Sequence, residues 1–299
     1  MSTQRLCLVH LPSAQGAVWR DAATAAAVAA GWRVVEFGPD QPLPEQGHDT
    51  LIHVYEARFG DLCEASQRII ISDDPDRAIE AFQVLHALDR DTALRIVAVQ
   101  YARAADMAGE GWPVVDGRLQ TLSLGGLGTV TREGPPPTVY GAEGPLAFYR
   151  TLPPTPGVSV QWPTDIVLST EASAPGRSVS DLTGRRRLLR YGPYLELSSG
   201  RWTADVEFAL RIDRAKVELR FEWGTQHDVD VSTNLITTSG VYSLTLSKIW
   251  TEPAVVELRV WLDRSVFDGH LEIMSCRVSF SPLDAEPAVS AAPNASLQN

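Results

Sequence analysis

The sequence predicts a mixed α/β plus all-β protein, with a small Rossmann-like parallel sheet at the N-terminus and an antiparallel β-sandwich or jelly roll at the C-terminus. From residue 5 to about residue 100, short β-branched runs alternate with helical runs, which is the pattern of parallel βαβ units. From about residue 190 onward, apolar residues recur at every second position, which is typical of antiparallel strands with one buried face. With 299 residues, the chain is long enough for two domains that each bury a core.

The N-terminal part is predicted to contain two helices between its strands. An Ala-rich run at 17–31 ends in glycine, which is common directly after a helix. The second helix is predicted within 74–91, where apolar residues keep helical spacing behind an Asp-Pro start. The five predicted strands span 5–11, 32–38, 49–56, 68–74 and 93–100.

The C-terminal part is predicted to consist of strands joined by turns. In the run at 201–211, the even positions are apolar and most of the odd positions are polar. The same alternation continues at 216–224, 240–250, 254–263 and 270–280. The whole chain is thus predicted to divide into a Rossmann-like domain at 1–128, a Pro/Gly-rich linker and irregular segment at 129–180, a β-sandwich domain at 181–283 and a disordered tail at 284–299.

Composition and charge argue against several classes of protein. The formal net charge of −11 disfavours nucleic acid as a partner, and no apolar run approaches the roughly 20 residues that membrane insertion needs. Cys7, Cys63 and Cys276 are odd in number and lack CxxC spacing, which favours a reducing, cytoplasmic location over a disulfide framework or a zinc site. Because the chain lacks GxGxxG, GxxxxGKS and GxxxxGKT, we predict no cofactor, and we predict no metal; the oligomeric state stays open.

Three polar residues mark a candidate crevice in the N-terminal part. His10 lies near the end of the first strand, and Asp73 and Asp74 end the strand at 68–74, at the sheet edge where open α/β proteins bind ligands. The sequence favours a simpler role, in which Asp74 and Asp76 cap the next helix and suit its dipole. For His10, the favoured alternative is a partly buried histidine with satisfied hydrogen bonds.

Aromatic residues on an outer face mark a second candidate site. In the run at 254–263, the even positions face the core, so Arg259 and Trp261 share the outer face. Trp250 ends the preceding strand and is expected to lie near Trp261 across a hairpin. Because the apolar face of a sugar stacks on aromatic rings, we predict a carbohydrate-binding platform of Trp261, Arg259, Trp250, Tyr194 and Arg201. The alternative is an internal interface, with this face covered by a helix, the linker or the first domain.

The stretch "LTGRRRLLRYGPYLELSSGRW" at 182–202 concentrates positive charge in an acidic chain. Its turn pairs predict one short strand at the lip of a sheet. Arg185, Arg186 and Arg187 are interpreted as a solvated run that also docks on acidic surface of the same molecule. An anion clamp is the alternative.

Several of these motifs together resemble a β-sandwich module that accompanies bacterial glycosyltransferases and polysaccharide-biosynthesis proteins. The resemblance covers about 100 of the 299 residues and assigns no catalytic residue. It implies a carbohydrate context. The first domain is weakly similar to glycosyltransferase halves of the two-Rossmann type but lacks their glycine-rich turns. The motifs are Gly192-Pro193-Tyr194, Gly200-Arg201-Trp202, Gly240-Val241-Tyr242, Glu257-Leu258-Arg259 and Phe267-Asp268-Gly269.

These observations favour a cytoplasmic, non-catalytic protein that binds a carbohydrate or a glycan-assembly protein. One alternative is a nucleotide-sugar-dependent glycosyltransferase, active or degenerate, that uses the crevice near His10, Asp73 and Asp74. A second alternative is a scaffold whose outer aromatic face meets another protein.

Overall fold

The computed structural model of the chain describes residues 3–13, 15–38, 47–60, 62–63, 65–133, 144–170, 179–213 and 215–283. The described residues within Met1–Ala142 and Tyr149–Pro154 form one compact unit, and those within Glu143–Phe148 and Thr155–Asn299 form the other. The tail at 284–299, which the sequence predicts to be disordered, lies outside the described residues. No helix in the described ranges combines the length and the apolar composition needed to cross a bilayer.

The N-terminal unit is built on a five-stranded sheet in which all strand pairs are parallel, as the alternating pattern predicts. The strand order is β2-β3-β1-β4-β5. A two-stranded antiparallel ribbon of β6 and β7 follows. The elements are β1 (Arg5–His10), α1 (Gly16–Ala29), β2 (Arg33–Phe37), β3 (Thr50–Val54), β4 (Gln67–Ser72), α2 (Pro75–His86), α3 (Arg90–Gly109), β5 (Val114–Asp116), β6 (Thr121–Ser123) and β7 (Thr129–Thr131).

The run at 93–100, predicted to be the last strand of this series, lies instead inside α3. The Asp89 side chain caps this helix by accepting a hydrogen bond from the Thr92 backbone N–H at 2.9 Å. An apolar run of this length suits a buried helix turn as well as a buried strand, and the alanines that continue it to residue 108 favour the helix. The fifth strand is β5, the three residues Val114–Asp116.

The C-terminal unit contains two antiparallel sheets, in agreement with its predicted β-rich character. The first, here the β13 sheet, has the order β10-β18-β13-β16, with β8 also paired to β18. The second, the β17 sheet, has the order β15-β14-β17-β11-β9, with β12 also paired to β17. The strands are β8 (Ser159–Trp162), β9 (Leu168–Ser169), β10 (Val179–Asp181), β11 (Arg187–Tyr191), β12 (Pro193–Leu197), β13 (Gly200–Arg211), β14 (Val217–Gly224), β15 (Val229–Ile236), β16 (Gly240–Trp250), β17 (Ala254–Leu262) and β18 (His270–Ser281).

The predicted linker and irregular segment at 129–180 contains regular structure where the structure describes it. β8 pairs with β18 and β9 with β11, so both strands belong to the C-terminal sheets. The prolines around these strands interrupt helices and long strands, but short edge strands tolerate them. In β8, Val160 and Trp162 alternate with polar residues and are buried, which is the same alternation that predicts the later strands.

Large aromatic side chains of both C-terminal sheets meet in a common core. The Phe208 ring of β13 lies 4.9 Å from the Phe221 ring of β14, measured between centroids. The Trp223 indole N–H donates to the Trp202 backbone carbonyl at 3.2 Å, which satisfies a buried donor. Because the inward positions of the alternating strands are filled by such groups, the opposite faces of the sheets are left for polar residues.

Candidate functional site

The outer face of β17 carries the residues that the alternation predicts. Glu257, Arg259 and Trp261 point away from the core, while the intervening Leu258 and Val260 are fully buried. The strand register places Glu222 of β14 opposite Arg259, and Arg220 opposite Trp261. Neighbouring strands therefore bring two further charged residues to the tryptophan.

These side chains line a cleft of about 680 Å³ on the β17 sheet, which we name the Trp261 cleft. Its walls come from β11, β12, β17 and the turn that follows β14. Three of the five residues predicted for the platform line it, namely Trp261, Arg259 and Tyr194. The other lining residues are Leu188, Thr225, Gln226, His227, Val255 and Glu257.

A bulge in β12 accompanies the placement of Tyr194 at this cleft. The pairing of β12 with β17 shifts between Pro193 and Leu195, and Tyr194 has a φ of 63°. Bulky residues rarely adopt this left-handed conformation, and bulges commonly redirect one side chain of a strand. Burial and the negative charge of Glu257 raise the pKa of the Tyr194 hydroxyl.

A network of ion pairs holds the indole of Trp261. Its Nε1–H donates to Glu222 Oε2 at 3.1 Å, and the same oxygen lies 2.9 Å from Arg259 Nε. Arg220 stacks over the indole with its guanidinium carbon 5.0 Å from the ring centroid. Arg220 Nε also donates to Asp263 Oδ2 at 2.8 Å and pairs with Glu222. The indole is therefore fixed in orientation, with a guanidinium on one face.

Glu257 contributes a buried carboxylate to the same cleft. The residue is only 6% exposed, and its Oε1 lies 3.7 Å from Arg259 Nε. Its Oε2 is buried and accepts no hydrogen bond from any residue that the structure describes. Since buried carboxylate oxygens are nearly always hydrogen-bonded, this atom suits a donor supplied from the cleft.

The expectation that Trp250 lies beside Trp261 across a hairpin is wrong. β16 pairs with β13 and β17 pairs with β14, so the segment between β16 and β17 connects two different sheets. Trp250 is 6% exposed, and its ring lies 6.2 Å from that of Trp223 in the core. Arg201 of β13 pairs with Ile249 and also lies outside the cleft.

Sequence reasoning missed Glu222 and Arg220, and it missed the turn at 225–227. The alternation in β14 places both charged residues on the outer face, so this part of the signal was available. The pairing of β14 with β17 is not local in sequence, and only that pairing reveals which strand lies next to Trp261.

The arginine-rich stretch contacts other residues of its own molecule, which is one of the two roles that the sequence predicts for it. Arg186 Nε lies 3.2 Å from Asp263 Oδ1, next to the network that holds Trp261. Arg187 donates to the Asp181 backbone carbonyl at 2.6 Å. Arg190 is buried and donates to Ser180 Oγ at 2.9 Å. The stretch also contributes two strands to the β17 sheet, since β11 and β12 both pair with β17.

Of the three residues predicted for the N-terminal crevice, one lines a cavity in the described structure. His10 lines a cavity of about 380 Å³, whereas Asp73 and Asp74 are not among the residues that line it. Asp74 caps α2, since its Oδ1 accepts hydrogen bonds from the Asp76 and Arg77 backbone N–H groups at 3.0 and 3.3 Å. The capping interpretation of Asp74 is confirmed.

Asp73 is buried beside the cap of α2. Its Oδ1 accepts a hydrogen bond from the Asp74 backbone N–H at 2.8 Å, and burial raises its pKa. Asp74 Oδ2 pairs with Arg150 Nε at 3.1 Å. Within the described ranges, no group of three or more His, Cys, Asp or Glu residues has the arrangement of a metal site.

The chain matches no protein-family model, and no curated protein matches it. It is similar to a solved structure described as "EclA C-terminal domain; sugar-binding protein", with 14% identity and a TM-score of 0.24 over 46% of this chain and 89% of that chain. It is also similar to a "Glycosylation Associate Protein (Gap123) complex from Streptococcus agalactiae", with 8% identity and a TM-score of 0.28. That match covers 83% of this chain and 49% of the other, so the chain spans about half of its length.

Proposed function

We propose that the protein is a non-catalytic carbohydrate-binding protein and that the Trp261 cleft is its site. One observation carries the proposal: the half-buried Trp261 and Tyr194 rings line the same cleft as the buried carboxylate of Glu257. A sugar ring offers an apolar face for stacking and hydroxyl groups at its edge for hydrogen bonds. Aromatic rings beside a carboxylate and a guanidinium supply both kinds of contact.

The stacking surface is held in place by its own contacts. The Glu222 hydrogen bond fixes the orientation of the Trp261 indole, and Arg220 covers one of its faces. A ring whose rotamer is already restricted loses little entropy when a ligand binds. The Trp261 side chain is therefore a better platform than a freely rotating surface tryptophan.

The polar groups of the cleft suit an uncharged sugar. The opposite charges of Glu257 and Arg259 both line it, so it has no strong excess of one sign. Glu257 Oε2 is free to accept a hydrogen bond from a sugar hydroxyl, and Gln226 adds an amide that donates and accepts. A strongly anionic ligand would face the carboxylate of Glu257.

The proposal also covers the fold of the two units and the cellular role of the protein. The aromatic contacts between the β13 and β17 sheets support a β-sandwich centred on 181–283, and the parallel sheet within 1–128 supports a Rossmann-like domain. The resemblance of the C-terminal motifs supports a role in bacterial polysaccharide assembly. The odd number and wide spacing of the three cysteines support a cytoplasmic location. The ligand in that setting is a glycan or a glycan-assembly protein.

A glycan array probed with three forms of the full-length protein tests the proposal. We expect wild type to bind selectively, Trp261→Ala to lose that binding and Phe267→Ala to retain it. Phe267 is a matched control because it is aromatic, 97% exposed, close in sequence and outside the cleft. A blank array for wild type, or equal binding by all three proteins, contradicts a sugar site at Trp261.

Different experimental results would favour the two alternative functions, a glycosyltransferase and a scaffold. UDP-sugar binding that is lost in Asp73→Ala would favour the glycosyltransferase hypothesis. A stable complex with another protein that Trp261→Ala disrupts, together with a blank array, would favour the scaffold.

A further inference from the structure

We infer that the N-terminal unit has a separate binding site for a small, uncharged molecule with a planar ring whose edge carries hydrogen-bonding groups, such as a nucleobase or nucleoside. The site is the cavity of about 380 Å³ lined by His10, a volume within the range of about 300–1,000 Å³ that small-molecule pockets occupy. We name it the His10 cavity. It is independent of the carbohydrate site proposed above.

The His10 cavity lies where the sheet topology favours a ligand. His10 ends β1, Glu36 lies near the end of β2 and Tyr55 directly follows β3. These three strands are neighbours in the parallel sheet. Open α/β sheets bind their ligands at the carboxyl ends of parallel strands, which is the edge that these residues occupy.

A buried histidine that lines this cavity has a ring nitrogen without a hydrogen-bond partner among the described residues. His10 is 4% exposed, and its Nε2 lies 2.8 Å from His53 Nδ1. His53 Nε2 in turn lies 3.1 Å from Thr24 Oγ1. The Nδ1 of His10 is buried and has no hydrogen-bond partner among the described residues. Because buried polar atoms are nearly always paired, a ligand in the cavity is the natural partner of this atom.

The pair of imidazoles can offer either a donor or an acceptor at that position. Burial lowers the pKa of His10 to about 3 and that of His53 to about 4, so both rings are neutral near pH 7. One proton bridges the two rings. If His10 Nε2 holds that proton, His10 Nδ1 accepts; if His53 Nδ1 holds it, His10 Nδ1 donates. Such a group can pair with either a donor or an acceptor on the edge of a planar ring.

Rings and apolar groups line the cavity on both sides. Tyr55 stacks on His10 with centroids 5.4 Å apart and an angle of 26° between the rings. Phe82 and Leu85 of α2 form an apolar wall, and Leu85 is 76% exposed. A planar ligand would bury this apolar surface against aromatic neighbours.

The charges at the cavity favour a neutral ligand. Arg20 and Glu36 have opposite signs, and each already has a partner. Arg20 pairs with Asp21 at 2.8 Å, and the Tyr55 hydroxyl donates to Glu36 at 3.2 Å. A diphosphate would need an excess of positive charge or a glycine-rich turn, and neither is present among the described lining residues.

Calorimetric titration of the full-length protein with uridine, inosine and adenosine tests this site. We expect at least one of these nucleosides to bind, because the edge of each base offers both a donor and an acceptor to His10 Nδ1. His10→Phe keeps the stacked ring but loses the nitrogen, so the affinity should fall about tenfold. Binding by none of the three nucleosides at millimolar concentration overturns the inference.

Two substitutions at exposed positions test the site without removing a buried side chain from the fold. Leu85→Ser removes apolar surface from the cavity wall, and Val84→Ser changes an adjacent residue that is 86% exposed and outside the lining. We expect weaker nucleoside binding in Leu85→Ser alone. Equal affinities in these two variants place any binding elsewhere and overturn the inference. Trp261→Ala should leave nucleoside binding unchanged, so failure of the carbohydrate site is distinguishable from failure of this one.

Discussion

Glu222 contacts more of the charged and aromatic side chains around Trp261 than any other residue described for the Trp261 cleft. Its carboxylate contacts the Trp261 indole N–H and the guanidinium groups of Arg220 and Arg259. If its negative charge is lost, the two arginines repel each other in a half-buried setting, and one of them covers the indole. The residue is thus central both to stability and to the orientation of the stacking surface.

We predict that Glu222→Gln lowers the free energy of unfolding by about 1–3 kcal/mol, because Arg220 and Arg259 lose a shared buried partner and keep only their contacts with Asp263 and Glu257. Urea denaturation measures the change. Glu218→Gln on the same strand is the matched control, since its partner Arg264 is largely exposed and such pairs contribute less than about 1 kcal/mol. Equal effects of the two substitutions would show that the Glu222 network adds little.

The two neutral histidines of the N-terminal unit predict an acid-sensitive stability. His10 and His53 have folded-state pKa values of about 3 and about 4, below the ordinary value of 6.5. Below pH 6.5 the unfolded chain binds protons at these histidines that the folded chain does not bind. Their contribution to stability is therefore complete above pH 6.5 and is lost as the pH falls from 6.5 to about 3. Each histidine contributes up to about 1.4 kcal/mol per pH unit. The charges nearest to His53 are Glu36, Arg20 and Asp21.

His10→Gln removes one of the two titrating groups, while the amide can still donate to His53. Denaturant unfolding at pH 7, 6 and 5 should therefore show a shallower loss of stability in the variant. The other titrating groups are common to both proteins, so the difference between them isolates His10. If the free energy of unfolding falls equally with pH in the variant and in wild type, a depressed pKa of His10 is contradicted.

Three residues of the candidate cleft could be predicted from the sequence, two of them from periodicity. Trp261 and Arg259 stand at outward positions of an alternating strand, and Tyr194 follows a recognisable turn pair. Trp250 could not be placed correctly, because periodicity states which face a residue occupies but not which strand lies beside it. The neighbours Glu222 and Arg220 depend on the same non-local pairing.

At the scale of elements, the turn between β14 and β15 determines the shape of the Trp261 cleft. It carries Thr225, Gln226 and His227 into the wall. Gly224 opens this turn with a φ of 150°, and a β-carbon there would lie 2.2 Å from the Asp228 backbone oxygen. A backbone atom cannot yield as a flexible side chain can, so only glycine fits at this position.

Gly224→Ala is predicted to destabilise the C-terminal unit by about 1–3 kcal/mol and to weaken ligand binding at the cleft. Thermal unfolding and the glycan assay measure the two effects. Gly16→Ala is the control, because a β-carbon at that position would meet no other atom within 4 Å and alanine suits a helix start. If Gly224→Ala leaves the stability unchanged, the turn can rearrange around the added β-carbon without a cost in free energy.

The elements themselves were predictable to different degrees. α1 and the long strands β13, β14 and β17 have unambiguous periods and are found where the sequence predicts them. The prediction of a strand at 93–100 was wrong because a short apolar run has no period that distinguishes a buried strand from a buried helix. β8 and β9 were missed because neighbouring prolines and glycines dominate the composition of their segment.

At the scale of the whole molecule, the C-terminal unit begins earlier than its regular alternation. β8 pairs with β18, and the buried Trp162 ring lies 5.6 Å from that of Trp223. The Trp162 indole N–H donates to the Pro145 backbone carbonyl at 3.1 Å. Residues upstream of 181 therefore contribute to the core of this unit.

Two fragments test this contribution. We predict that residues 144–283 unfold in one cooperative transition, while residues 181–283 are less stable because they lack β8, β9 and the buried indole of Trp162. Loss of a tryptophan from a core costs about 3–5 kcal/mol, which is a large part of the stability of such a unit. Equal melting temperatures of the two fragments would show that the upstream strands are dispensable.

The half-buried position of Trp261 has an optical consequence. The chain has eight tryptophans, of which Trp261 and Trp32 are the two that are partly accessible. A soluble quencher such as acrylamide should therefore act mainly on the fluorescence of these two indoles. An occupant of the Trp261 cleft would shield one of them and leave Trp32, in the other unit, as an internal reference. The cleft can thus be titrated by emission intensity, with no label attached to protein or ligand.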